Sequence, residues 1–187
     1  MTANSEYVLG YLLPKGWTRN AICGMLGNMQ SESTINPARW QGDNVGDTAN
    51  GLGLVQWTPA TNYLDWCTAN SLDYRQMDSG LGRILYEVSN NLQWISTSSY
   101  PMSFAEFTTS TDTPENLAEA FITNYERPAD PTQPIRQTQA RYWWDNLSGT
   151  GTIGGGGGTG DGGTTTTDKN TQMVNLLLSD TLKGWKW

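Results

Sequence analysis

Ten of the sixteen residues from 148 to 163 are glycine, and four threonines follow directly. Such a tract has no side chains with which to build a core and reads as a flexible coil. It divides the chain into a domain of residues 1–147, a Gly/Thr-rich linker of 148–168 and a terminal peptide of 169–187. Within 1–147, prolines, glycines and capping residues cut the chain into helical runs. Residues 5–14 predict a first helix, broken at Pro14-Lys15-Gly16. Thr18 is an N-cap for a second, which Asn36-Pro37 stops. The stretch from Trp40 to Asn50 is polar and reads as loop or short hairpin, and Gly51 to Trp57 is a short extended segment, which together make a small β element. Thr58-Pro59 stand in N-cap and N1 positions for a helix to about Ala69. Met77 to Trp94 carries Leu81, Ile84, Leu85, Val88, Leu92 and Ile95 at helical spacing. A short segment spans Phe104–Phe107. Thr113-Pro114 opens a helix with Leu117, Phe121 and Tyr125 four apart, and a last helix runs from about Ile135 to Leu147. In the terminal peptide, Met173, Val174, Leu176, Leu177, Leu178 and Leu182 predict a short apolar helix. The fold class is mainly α, an α+β domain with one small hairpin.

The second helix holds the chemistry. Ile22, Met25, Leu26 and Met29 recur at helical spacing and mark a face turned to a core. Glu32 lies seven residues after Met25, about 700° round the helix, and so returns to within roughly 20° of that face. A carboxyl ending an apolar face is desolvated, and desolvation favours its protonated form. A carboxylic acid protonated near neutral pH is what general acid catalysis needs. Gly24 and Gly27 each weaken the helix by about 1 kcal/mol relative to alanine. Their presence implies that something approaches that face closely.

Charge and composition narrow the chemistry. The formal net charge is −7, and residues 1–147 hold 8 Lys+Arg against 15 Asp+Glu. Sequence-specific nucleic-acid recognition needs a basic patch, so that class is disfavoured. No apolar run has the length of a transmembrane segment, and no classical signal peptide is visible. The chain has no histidine, which removes Ser-His and Cys-His nucleophilic machinery and the usual zinc site with histidine ligands. No metal or other cofactor is expected, and carboxylates are left to do the chemistry. Cys23 and Cys67 read as free buried thiols, with a disulfide as the alternative. Nine tryptophans and eight tyrosines serve a core and offer flat faces on which sugar rings stack.

Glu32-Ser33, Gly53-Leu54-Val55-Gln56 and Tyr125-Glu126 together resemble the lysozyme-like superfamily that includes goose-type lysozymes and soluble lytic transglycosylases. The longer runs from Gly24 to Pro37, from Gly53 to Pro59 and from Tyr125 to Pro128 resemble the phage tail lysozyme family. Within it they look like the tail-knob wall-degrading proteins of small short-tailed phages of Gram-positive bacteria. The resemblance covers about residues 5–147. It implies a lysozyme-like fold in which Glu32 is the acid, the Gly53–Gln56 segment borders a glycan cleft, and Tyr125 positions the acid. It further implies a muramidase that cleaves peptidoglycan between N-acetylmuramic acid and N-acetylglucosamine, carried at a virion's tail tip. Some relatives place a zinc endopeptidase between linker and terminal peptide. Glycines and threonines stand there in this chain, so no peptidase activity is carried over.

A glycosidase commonly uses a second carboxylate. Asp43 and Asp47 lie on the polar loop between Glu32 and the Gly53–Gln56 segment, where each either holds a water or is a solvated loop charge. Glu126, at a helix end, is the third candidate and the one that would orient Glu32. Gln56 offers an amide to sugar hydroxyl or N-acetyl groups, or bonds within its own segment. Gly53 admits a ligand or shapes a bulge. Trp57 and Trp40 stack on sugars or fill the core, and Tyr125 packs inward with its hydroxyl free to reach Glu32. Three functions remain open: a hydrolase, a lytic transglycosylase giving a 1,6-anhydro product, and a tail-tip protein that only binds glycan. Residues 169–187 are expected to dock on a tail tube or knob protein, with Trp185 and Trp187 as anchors.

Overall fold

The computed structural model describes residues 1–149, and the linker and terminal helix expected beyond them lie outside the described residues. Seven α-helices are described: α1 (Thr2–Leu12), α2 (Arg19–Ser33), α3 (Thr61–Ala69), α4 (Met77–Asn90), α5 (Phe104–Thr109), α6 (Pro114–Phe121) and α7 (Pro134–Asn146). The expected mainly helical class is what the chain adopts. None of these helices is long and apolar enough to cross a membrane.

α2 is the axis of the domain. Every residue from Ala21 to Gln30 is buried, so it is covered on all sides where the sequence implied one apolar face. α6 and α7 make the most extensive contacts with it. Its two glycines explain how. A Cβ on Gly24 would lie 2.8 Å from Leu117 Cβ and 2.9 Å from the Leu117 backbone, and one on Gly27 would lie 2.3 Å from Arg136 O. α6 therefore crosses at Gly24 and α7 at Gly27. The buried polar side chains of α2 are paired within this contact. Asn28 Nδ2 donates to Ala118 O at 2.9 Å and Trp143 Nε1 donates to Gln30 Oε1 at 2.8 Å. Trp17, Trp94, Phe104, Phe107, Phe121 and Tyr125 form one aromatic cluster. Cys23 and Cys67 are both buried and free, and burial pushes the Cys23 thiol up to about 12.

Several boundaries differ from expectation. Among the described residues there is no strand. Residues 40–57 make two isolated antiparallel bridges, Trp40 with Leu52 and Leu52 with Trp57, in place of a hairpin. Gly53 (φ +86°) and Gln56 (φ +50°) turn the segment back before a ladder can extend. Thr58 does not cap a helix, because its hydroxyl donates to Gln56 O at 2.9 Å, and α3 begins at Thr61. α4 stops at Asn90, with Asn91 in the left-handed region (φ +50°) that asparagine tolerates. Leu92 and Ile95, placed by spacing on the inner face, are thereby exposed. The helix opened by Pro114 ends in a π-helical turn, Ile122–Glu126, closed by Arg127 N donating to Ile122 O at 2.8 Å. Ser148 and Gly149, assigned by composition to the linker, are bonded to the domain. Glu6 Oε1 accepts from the Ser148 amide, and Arg19 donates to Gly149 O.

Candidate active site

α2 delivers Glu32 at its last turn and then ends abruptly, with Thr34 (φ 58°) and Ile35 (φ 57°) both left-handed. A β-branched residue rarely takes that conformation, but Ile35 is fully buried, and its packing holds it there. Both neighbours of Glu32 are pinned. Ser31 Oγ donates to Gln139 Oε1 on α7 at 2.8 Å, and Ser33 Oγ donates to Leu54 O at 2.9 Å. The serine beside the acid thus ties it physically to the Gly53–Gln56 segment, which joins two motifs that are only spacings in the sequence.

The carboxyl of Glu32 has a partner that sequence reasoning missed. Arg136 Nη2 on α7 donates to Glu32 Oε1 at 2.5 Å, and the two side chains are 2% and 8% exposed. The guanidinium is itself held, its Nη1 donating to Asn28 Oδ1 at 3.0 Å and its Nε to Gln133 Oε1 at 2.8 Å. A signal for it existed, since Arg136 precedes Ala140 and Trp143 by four and seven residues and so shares the buried face of α7.

Glu126 joins this pair from the π-helical turn. Its Oε1 is buried and has no hydrogen-bond partner among the described residues. Burial holds its carboxyl well above the usual range, the negative charge of Glu32 adds to this, and the Arg136 cation opposes it. Like charges sharing a site cannot both ionise cheaply. The site therefore places two carboxyls in the field of one guanidinium, and burial with the Glu32 charge favours the protonated form of Glu126. π turns are frequent at functional sites, and this one is tied down on both sides. Gln93 Nε2 donates to Tyr125 O at 3.0 Å, and Arg127 Nη1 donates to Asn124 O and Gln93 O.

This arrangement has a measurable consequence for stability. A carboxyl whose folded pKa is raised stabilises the fold fully below its unfolded value, and that contribution is lost as pH rises through the folded value. From its ordinary 4.5 upward, Glu126 should therefore cost the wild type stability as pH rises. Glu126→Gln removes the titration, so its Tm should fall less between mildly acid and alkaline pH. Superimposable Tm-against-pH curves for the two proteins would rule Glu126 out as the titrating group.

The remaining candidates make other bonds. Asp43, 73% exposed at its side chain, pairs with Arg39 at 3.1 Å. Asp47 caps its own exposed loop, accepting from the Ala49 amide and Asn50 Nδ2. Neither is bonded to the Glu32 group. Gln56 Nε2 donates to Arg39 O and Gly53 O, so the donor side of this amide is engaged within its own loop. Gly53 needs its positive φ, and a Cβ there would lie 3.0 Å from the Trp57 ring. Trp40 and Trp57 are buried, at 6% and 5% exposure, and neither offers an open stacking face. Tyr125 does not bond Glu32, because its hydroxyl donates to Glu87 Oε2 at 2.5 Å.

Residues 3–147 match the family model described as phage tail lysozyme. The chain is also 58% identical over 154 residues to Morphogenesis protein 1 of Bacillus phage B103, across 82% of this chain and 42% of that protein. It thus spans less than half the length of that relative. The match takes in α1 to α7 and with them the Glu32–Arg136–Glu126 group: the chain belongs to the phage tail lysozyme family.

Proposed function

We propose that residues 1–147 are a muramidase, cleaving peptidoglycan glycan between N-acetylmuramic acid and N-acetylglucosamine so that a phage tail can penetrate the host wall. The observation that carries this reading is the meeting of Glu32 and Glu126 around Arg136. Glycosidic cleavage needs a proton on the leaving oxygen and stabilisation of an oxocarbenium-like transition state. In this reading the two carboxyls share one proton, and Glu32 hands it to the leaving oxygen. Arg136, already bonded to Glu32 Oε1, stabilises the carboxylate that forms. Glu126, whose carboxyl is held well above the usual range by burial and by the Glu32 charge, is the store of that proton. Gly53, Gln56, Trp57 and Tyr125 act by building the edge and floor of the cleft. The terminal peptide, 169–187, anchors the enzyme on a tail tube or knob protein at the tail tip. Anchoring offsets the repulsion between an acidic domain and an anionic wall.

One observation favours a second reaction on the same fold. Asp43 and Asp47 are bonded within their own exposed loop, and neither shares a hydrogen bond with the Glu32 group. Internal attack by the substrate's own hydroxyl needs no base to activate water and would make the enzyme a lytic transglycosylase. Digesting purified peptidoglycan and weighing the soluble fragments separates the two. Hydrolysis is expected to leave muropeptides with free reducing ends. Products lighter by one water would establish the anhydro reaction, and an undigested wall would leave only glycan binding.

A further inference from the structure

The three motifs leave one buried carboxyl unused. Glu87, in the last turn of α4, is 1% exposed and accepts three hydrogen bonds. Trp57 Nε1 and Arg83 Nε both donate to its Oε1 at 2.9 Å, and Tyr125 donates to its Oε2 at 2.5 Å. All three partners are donors, so the site is built for an acceptor-only carboxylate. Burial works against that charge and pushes Glu87 up, while the three donors and the Arg83 cation pull it back. Burying a carboxylate and an arginine stabilises a fold less than apolar packing of the same shape would. A role in holding geometry explains why this group stands there.

What it holds is specific. Trp57 closes the Gly53–Trp57 segment, which Ser33 ties to the end of α2. Tyr125 is the residue before Glu126, in the π-helical turn. We propose that Glu87 is a positioning residue whose carboxylate joins Trp57 to Tyr125 and thereby fixes Glu126 beside Glu32. The inference rests on the glycosidase reading for its kinetic consequence, while its geometric part stands without it. The groups that act on Glu126 are Glu32 from α2, Glu87 from α4, Arg136 from α7 and its own neighbour Arg127. The two other carboxylates favour its protonated form and the two arginines oppose it. Removing the Glu87 charge therefore makes Glu126 easier to ionise.

The test has two arms on the full chain. In the first, the side-chain carboxyl carbons of glutamate are labelled and titrated by NMR, with Glu126→Gln identifying the Glu126 signal. In Glu87→Gln its midpoint is expected to move to lower pH by roughly half a pH unit or more. In the second, turnover on purified peptidoglycan is followed against pH. Here kcat is expected to fall roughly 10- to 100-fold with KM little changed, and the alkaline limb to move to lower pH. If Glu87→Gln does not fold, Tyr125→Phe removes only the hydroxyl link and carries both measurements, with a displaced Glu126 midpoint and a lowered kcat expected. An unchanged Glu126 midpoint in a folded variant overturns the inference, whatever happens to Tm. A wild type that titrates as described but cleaves no wall overturns the glycosidase reading and leaves the positioning role standing.

Discussion

Glu32→Gln is expected to lower turnover on purified peptidoglycan by at least ~10²–10⁴-fold, the range for losing a general acid. The amide is nearly isosteric, and its oxygen can still accept from Arg136 Nη2, which now reaches Glu32 Oε1 at 2.5 Å. The fold should therefore persist. Breaking a buried ion pair usually costs about 3–5 kcal/mol because the surviving charge is left uncompensated. Arg136 is not left so here. Without the negative charge of Glu32, which helps to keep Glu126 protonated, Glu126 ionises more readily and balances the guanidinium. The stability loss should accordingly fall below that range, and circular dichroism melts would measure it. A folded Glu32→Gln protein with near-wild-type turnover would remove Glu32 from the mechanism.

Gly27→Ala should be the most damaging single-methyl change in the domain. The added Cβ would sit 2.3 Å from Arg136 O, 2.9 Å from Ala140 N and 3.0 Å from Ala140 Cβ. Two of these atoms are backbone, so no rotamer change relieves the clash, and α7 must move off α2. Overpacking costs about 1–3 kcal/mol and occasionally more, against about 1 kcal/mol gained in helix propensity. A rigid backbone contact belongs at the upper end, and the clash wins. The displaced helix also carries Arg136, so turnover should fall with Tm. Gly10→Ala on α1 is the control, since nothing lies within 4 Å of its Cβ. There the same methyl should raise Tm by the propensity gain alone. A Gly27→Ala protein as stable as wild type would show that α7 does not need this close approach.

Helix identities and most of their starts were legible in the chain because they depend on local groups. Thr18 and Thr113 accept from the amides three residues on, as their sequences predicted. Ser103 and Glu106 close a reciprocal capping box at the short Phe104 segment. Helix ends were less legible. The π turn at Ile122–Glu126 and the early stop of α4 at Asn90 depend on what each last turn meets in the fold. The expected hairpin became two bridges because Gly53 and Gln56 adopt left-handed conformations, which alternating residue types do not reveal.

What the sequence determined by itself was the acid's position on α2, the demand of Gly24 and Gly27 for close neighbours, and the exclusion of histidine chemistry. These follow from periodicity and composition, which act within a few residues. Only the tertiary structure decided which groups surround the acid. Arg136 lies 104 residues from Glu32, and Glu87 lies 30 from Trp57 and 38 from Tyr125. It also turned the Tyr125 hydroxyl to Glu87 and left Asp43 and Asp47 on their own loop. A side chain's partner is set by how helices cross, and α2 is crossed by α6 and α7 where two missing side chains let them approach.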